Sequence, residues 1–212
     1  MEPHGIAIFD LDGTLLTRDS LGPFLAGYTV RRPRLGIVLL SPFLLLAYAC
    51  RLISARTLKQ CLLRGFLGGE SEQAIQEHAE RFCRSWVARH CRAVALERLR
   101  VHQAAGHRII LESASPSVYV PIIAAYLGIP EVVCTRVKNE RGLCTGEIDG
   151  PNCKGEAKVT LLKEFLGRPQ APSESYSYGD SLSDLPLLRW VQHGFSLRKG
   201  VFEPVAIPRP PR

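Results

Sequence analysis

The sequence predicts an α/β fold: a doubly wound, mostly parallel sheet with a helical cap inserted after its first strand. Two observations predict it. Short apolar runs bounded by turn residues alternate with stretches of helical period, which is the pattern of strands joined by crossover helices. Residues 20–105 break that alternation and carry helical pattern alone, between the first strand and the second.

The elements follow in chain order. IAIF at 6–9 is a strand that ends in DLDGT. In 71–89, Ile75, Ala79, Phe82, Cys83, Trp86 and Val87 recur at helical spacing. RIIL at 108–111 is a second strand running into ESAS. Segment 116–127 opens with Pro116 and stops at Gly128, so it reads as a helix. Residues 132–148 read as a β-hairpin turning at 139–142. Val159, Leu162, Phe165 and Leu166 mark a helix over 155–166, stopped by Gly167. SYSY at 175–178 is a strand leading into GDSLSD, and GFSL at 194–197 is a further one. Residues 199–212 hold four prolines and no periodicity, and read as a loose basic tail. The division expected is a core of 1–19 and 106–198, a cap of 20–105, and the tail.

Bulk properties narrow the partners. A chain of 212 residues is long enough to bury a core without staples. The formal charge of +7 suits an anionic partner. Nucleic acid fits poorly, because no run of five or six basic residues occurs and no aromatics interleave with arginines. The seven cysteines are scattered with no CxxC pair, which argues against a zinc site and for reduced thiols in the cytoplasm. An apolar strand begins at Ile6, where an export signal would need a charged and then a long apolar segment.

Four segments carry chemistry. Asp10 and Asp12 stand two apart just after the first strand. A carboxylate can attack phosphorus, and a second can protonate the leaving oxygen and later activate water. Gly13 permits a tight turn, and Thr14 can bond a phosphoryl oxygen or orient Asp10. Asp180 is a natural third acid for a magnesium ion, which needs few protein ligands. Asp184, at i+4, can hold a metal-bound water or a lysine. Ser113 can donate to a phosphoryl oxygen, with Ser115 as competitor. One ammonium among Lys154, Lys158 and Lys163 can steady the transferring group.

In this order FDLDGTLL (9–16), ILESAS (110–115), KGEAKV (154–159) and YGDSLSD (178–184) resemble the haloacid dehalogenase superfamily of phosphohydrolases. The helical block resembles the C1 cap of its phosphoserine phosphatase-like branch, subfamily IB. The resemblance implies Asp10 as nucleophile, Asp12 as acid and base, and Lys158 as the lysine. It implies Thr14, Ser113, Ala114 and Asp19 on the phosphate or substrate, and Asp10, Asp12 and Asp180 around Mg2+. Asp184 and Gly179 support that shell. Two positions depart from the pattern: Glu112 stands where an apolar residue is usual, and Ser183 where an asparagine is.

Residues 35–50, LGIVLLSPFLLLAYAC, are the most apolar stretch, with arginines on both sides. Sixteen helical residues span roughly 24 Å, short of the ~30 Å hydrocarbon core. One crossing would also part Asp10 from Ser113, Lys158 and Asp180. The segment is therefore either a buried helix pair of the cap or a bent hairpin dipping into one leaflet. The layout resembles class C phosphatidylglycerophosphatases. That implies a phospholipid-type substrate such as phosphatidylglycerophosphate or lysophosphatidate, and a peripheral contact with the cytoplasmic face of a membrane. The alternatives are a phosphatase of a small soluble ester such as phosphoserine, and a phosphotransferase of the same fold.

Overall fold

The computed structural model describes residues 5–32 and 34–206. Seven strands form one sheet in the order β4-β3-β2-β1-β5-β6-β7. β1 (Ile6–Asp10) lies at its centre, between β2 (Arg108–Pro116) and β5 (Ser175–Gly179), parallel to both. β3 (Glu131–Glu140) and β6 (His193–Arg198) extend it in parallel. β4 (Leu143–Asp149) and β7 (Val201–Pro204) close the two edges in antiparallel pairing. All five residues of β1 are buried, as both faces of a central parallel strand must be. Ile6 and Ile8 pack with Val159, Leu162 and Leu187 on one side, while Ala7 and Phe9 join the larger core on the other.

The larger core continues into the helical insertion. It comprises α1 (Leu21–Arg31), α2 (Leu35–Ala49), α3 (Ala55–Leu67), α4 (Glu72–Phe82), α5 (Ala88–His90) and α6 (Ala93–Ala104). A π-turn at Cys83–Val87 joins α4 to α5, so the helical pattern of 71–89 holds with one widened turn. Ser54 and Ser71 cap α3 and α4 by accepting from Thr57 N–H and Ala74 N–H. The two ends of the insertion are clasped together. Leu16 and Cys91 form an antiparallel bridge, Thr17 N–H donates to His90 O, and Arg92 N–H donates to Leu15 O.

Outside the insertion, α7 (Val120–Tyr126), α8 (Glu156–Leu166) and α9 (Leu185–Trp190) complete the set. α8 ends at Gly167 in the left-handed conformation, φ 64°, as the sequence predicts. α7 is shorter than the expected 116–127. Pro116 still pairs with Thr135 and Ser117 N–H donates to Thr135 O, so the strand runs on, and Pro121 sits in the first turn instead. The tail expectation is corrected for Val201–Pro204, which pairs with β6, while 207–212 lie outside the described residues.

Neither expected form of 35–50 is present. α2 is a single helix with Pro42 inside it, and Ile37 is its one buried residue. Proline removes the N–H that would reach Val38 O, and Ser41 Oγ donates to that carbonyl instead, at 2.9 Å. α2 rests on α3, where a Cβ at Gly65 would run into Ile37.

His102 of α6 bonds the Tyr178 hydroxyl through Nε2 and His107 Nδ1 through its own Nδ1. Burial, with His107 and Arg98 nearby, pushes its pKa down from 6.5 to about 4. Between those values the unfolded chain binds the proton and the folded one does not. Stability is therefore expected to fall as pH drops from 6.5 toward 4. Urea midpoints across that window check this, and His102→Gln is expected to flatten the slope.

Candidate active site

The carboxyl ends of the central parallel strands converge on one point, where ligands of such sheets sit. β1 delivers Asp10 at its last residue, directly opposite Glu112 of β2. The chain then turns through Gly13, φ 86°, where a Cβ would collide with the Asp180 carboxylate. Only glycine suits both demands. Arg92, at the start of α6, holds this turn by donating to Gly13 O at 2.9 Å and Thr14 O at 3.2 Å.

Of the three candidate lysines, Lys158 is the one brought to Asp10. It projects from the first turn of α8, is 1% exposed, and donates to Asp10 Oδ1 at 2.7 Å and Asp184 Oδ1 at 2.6 Å. Its pKa stays raised, because although burial works against the charge, Asp10 and Asp184 outweigh it. Asp184 is folded back by Ser181, whose N–H and hydroxyl both donate to Oδ2. Gly179 makes room for it, since a Cβ there would touch the Asp184 side chain at 2.6 Å.

Carboxylate oxygens of Asp10, Asp180 and Asp184 lie within 4.8 Å of one another. Three carboxylates against one lysine leave an excess of two negative charges, and all-oxygen donors suit a hard divalent cation. Burial pushes Asp10 up to about 7 despite Lys158, and burial with Asp184 raises Asp180. Both shifts come first from burial, and the neighbouring Asp184 adds to each. Thr14 Oγ1 donates to Asp180 Oδ1 at 3.3 Å, so its hydroxyl serves that acid and not Asp10.

Asp12 is not part of this trio. Its oxygens accept from Ser20 N–H at 2.8 Å and the Ser115 hydroxyl at 2.5 Å. Burial, with Asp19 beside it, pushes its pKa up to about 6. The Ser113 hydroxyl accepts from Ser115 N–H at 3.0 Å, and the Ala114 carbonyl accepts from Lys59 Nζ and Thr135 Oγ1. Ser113 and Ser115 thus have different neighbours, which their sequence positions did not distinguish. Asp19 is exposed and accepts from Leu21 N–H.

Two further site residues, Lys59 and Tyr119, carried no sequence signal. Lys59 reaches from α3 of the insertion to Ala114 O and Asn152 Oδ1, and burial pulls its pKa down to about 8. Tyr119 is fully buried and pairs with the Ser20 hydroxyl at 2.9 Å. Glu112 is fully buried beside Cys153 with Oε2 unpartnered, and burial pushes its pKa up to about 8, which favours the neutral acid. A neutral acid can occupy the place where an apolar residue is usual.

Comparison with known proteins agrees with this geometry. The family model for haloacid dehalogenase-like hydrolases matches residues 7–189. Protein CicA of Caulobacter vibrioides is 31% identical, over 88% of this chain and 82% of its own. A probable phosphatase of Mycobacterium tuberculosis is 27% identical, over 88% of this chain and 66% of its own. A solved phosphoserine phosphatase, described as a phospho-aspartyl intermediate analogue, shares the fold with TM-score 0.58 at 14% identity, over 92% of this chain and 86% of that one.

Proposed function

The chain belongs to the haloacid dehalogenase-like hydrolases and is a phosphomonoester hydrolase of that family, and on that premise we propose that it works through an aspartyl-phosphate at Asp10. The observation that carries this reading is the lysine-bound Asp10 at the head of β1, with a second, differently tuned acid two residues on. One Asp10 oxygen attacks phosphorus as the bond to the leaving alcohol breaks. Asp12, held by Ser20 and Ser115, gives that alcohol its proton. A pKa of about 6 keeps a working fraction of Asp12 protonated near neutrality. In the second step Asp12 takes a proton from water, which attacks phosphorus and frees Asp10.

Lys158 and the Ser113 hydroxyl hold phosphoryl oxygens, with Thr14, Ala114 and Asp19 lining the approach. Asp10 and Asp180, supported by Asp184 and Gly179, would hold Mg2+, which supplies positive charge against the incoming phosphate. The Asp12 carboxylate, engaged with Ser20 and Ser115, is assigned to proton transfer and not to the metal. Residues 20–105 act as a cap, and Lys59 is its contact with the phosphate end of the site.

The substrate we favour is a small water-soluble phosphomonoester. The phospholipid expectation gains no support from the relatives, whereas phosphoserine phosphatase shares the fold. Phosphate release from phosphoserine and from phosphorylated micelle lipid, each with Mg2+ and with EDTA, tests both points. Magnesium-dependent release from the soluble ester is expected, with EDTA abolishing it. Release from the lipid alone would overturn the substrate, and undiminished release in EDTA would overturn the metal.

A further inference from the structure

We propose that α2 is a lipid-docking helix that lies in the surface of an anionic membrane, independently of which phosphomonoester the site hydrolyses. α2 exposes Leu35 (71%), Leu39 (71%), Phe43 (68%), Leu45 (52%) and Leu46 (61%) to solvent. An exposed apolar patch of this extent marks an interaction surface. Isolated surface leucines would need no explanation, but these stand together on one element.

The circumference identifies the occupant. At ~100° per residue these side chains, together with the exposed Leu40, spread over more than half of the helix, and the line through Ile37 and Leu44 on the opposite side meets the protein. A second copy packing as one helix against another would cover a single stripe. Lipid chains surround every free side at once. No charged residue interrupts 35–50, so the helix has no face of its own suited to water.

Charge selects the kind of lipid. Residues 31–69 contain seven basic residues and no acidic one. Glu70 binds Arg32 and Arg34 together, which leaves a positive charge over at the start of α2. Arg51 follows its end, exposed, with φ 59°. Basic residues at both ends of an apolar helix fit anionic head groups on either side of it.

The helix lies along the surface and does not cross. Fifteen residues reach about 22 Å against ~30 Å of hydrocarbon, and among the described residues no helix is long and apolar enough to span. A single crossing would also part Asp10 from Lys158, which touch at 2.7 Å.

Flotation of the full chain with phosphatidylcholine vesicles, and with vesicles containing phosphatidylglycerol, tests the proposal. The expected result is recovery with the anionic vesicles, reduced about tenfold on neutral ones or by the triple variant L39D/F43D/L46D. That variant is expected to hydrolyse a soluble ester at the rate of the parent, which shows that it folds. In a second measurement, Phe43→Trp is expected to shift its emission to the blue on adding anionic vesicles. Failure of the parent to float with either vesicle overturns the proposal, and so does equal flotation of the triple variant. A parent that elutes as a dimer, stays off vesicles, and becomes monomeric in the triple variant would assign the surface to a second copy. Loss of phosphatase activity in every form would strike the proposed reaction and leave this test standing.

Discussion

Asp10→Asn is expected to lower turnover at least about a thousandfold while leaving the fold as stable as before, or more so. The two effects separate because of how the carboxylate is held. Burial pushes its pKa up to about 7 even with Lys158 at 2.7 Å, so the ionised nucleophile is maintained against a desolvation cost. Asparagine has the same shape and an oxygen for the ammonium, and it needs no charge in that place. Lys158 keeps its full pairing with Asp184. Single-turnover phosphate release and a thermal melt measure the two outcomes. Turnover retained in this variant would remove Asp10 from its assigned role.

Lys158→Met is expected to act the other way, costing about 3–5 kcal/mol of stability along with the activity. The methionine fills the volume but leaves two carboxylates facing each other in a place that is 1% exposed. Asp184 retains its two bonds from Ser181, whereas Asp10 loses its only cationic partner among the described residues. Excess negative charge should then be relieved from outside. Added Mg2+ is expected to raise the melting temperature of this variant more than that of the parent. A melt that Mg2+ leaves unmoved would argue that the trio of acids does not bind the cation.

The central strands and the acid-bearing segments were legible because each is local. Strand periodicity, a DG turn and a helix stop all lie within a few residues. The order of the strands in the sheet was not legible there and comes from the fold alone. What the sequence could not show depends on contacts across the fold. Lys59 and Arg92 look like any surface base on a helix, and nothing near them in the chain points to Ala114 or to Gly13. Glu112 reads as a charged residue on a strand, and the complete burial that pushes its pKa up to about 8 depends on the whole fold. α2 was misread because apolar composition was taken to require burial or a bend. Ser41 allows Pro42 to remain in a continuous helix, and the missing polar face has no local marker.

The clasp formed by Leu15, Thr17, His90 and Arg92 has a consequence for how this architecture can diversify. Because the helical insertion leaves and re-enters at one point, the sheet meets it as a closed loop. The entropy of closing such a loop rises only slowly with its length. Helices can therefore be added, lost or resurfaced inside it while the nucleophile turn, gripped by Arg92 where the chain re-enters at the start of α6, keeps its shape. The sheet would conserve the reaction, and the loop would be free to change what reaches it.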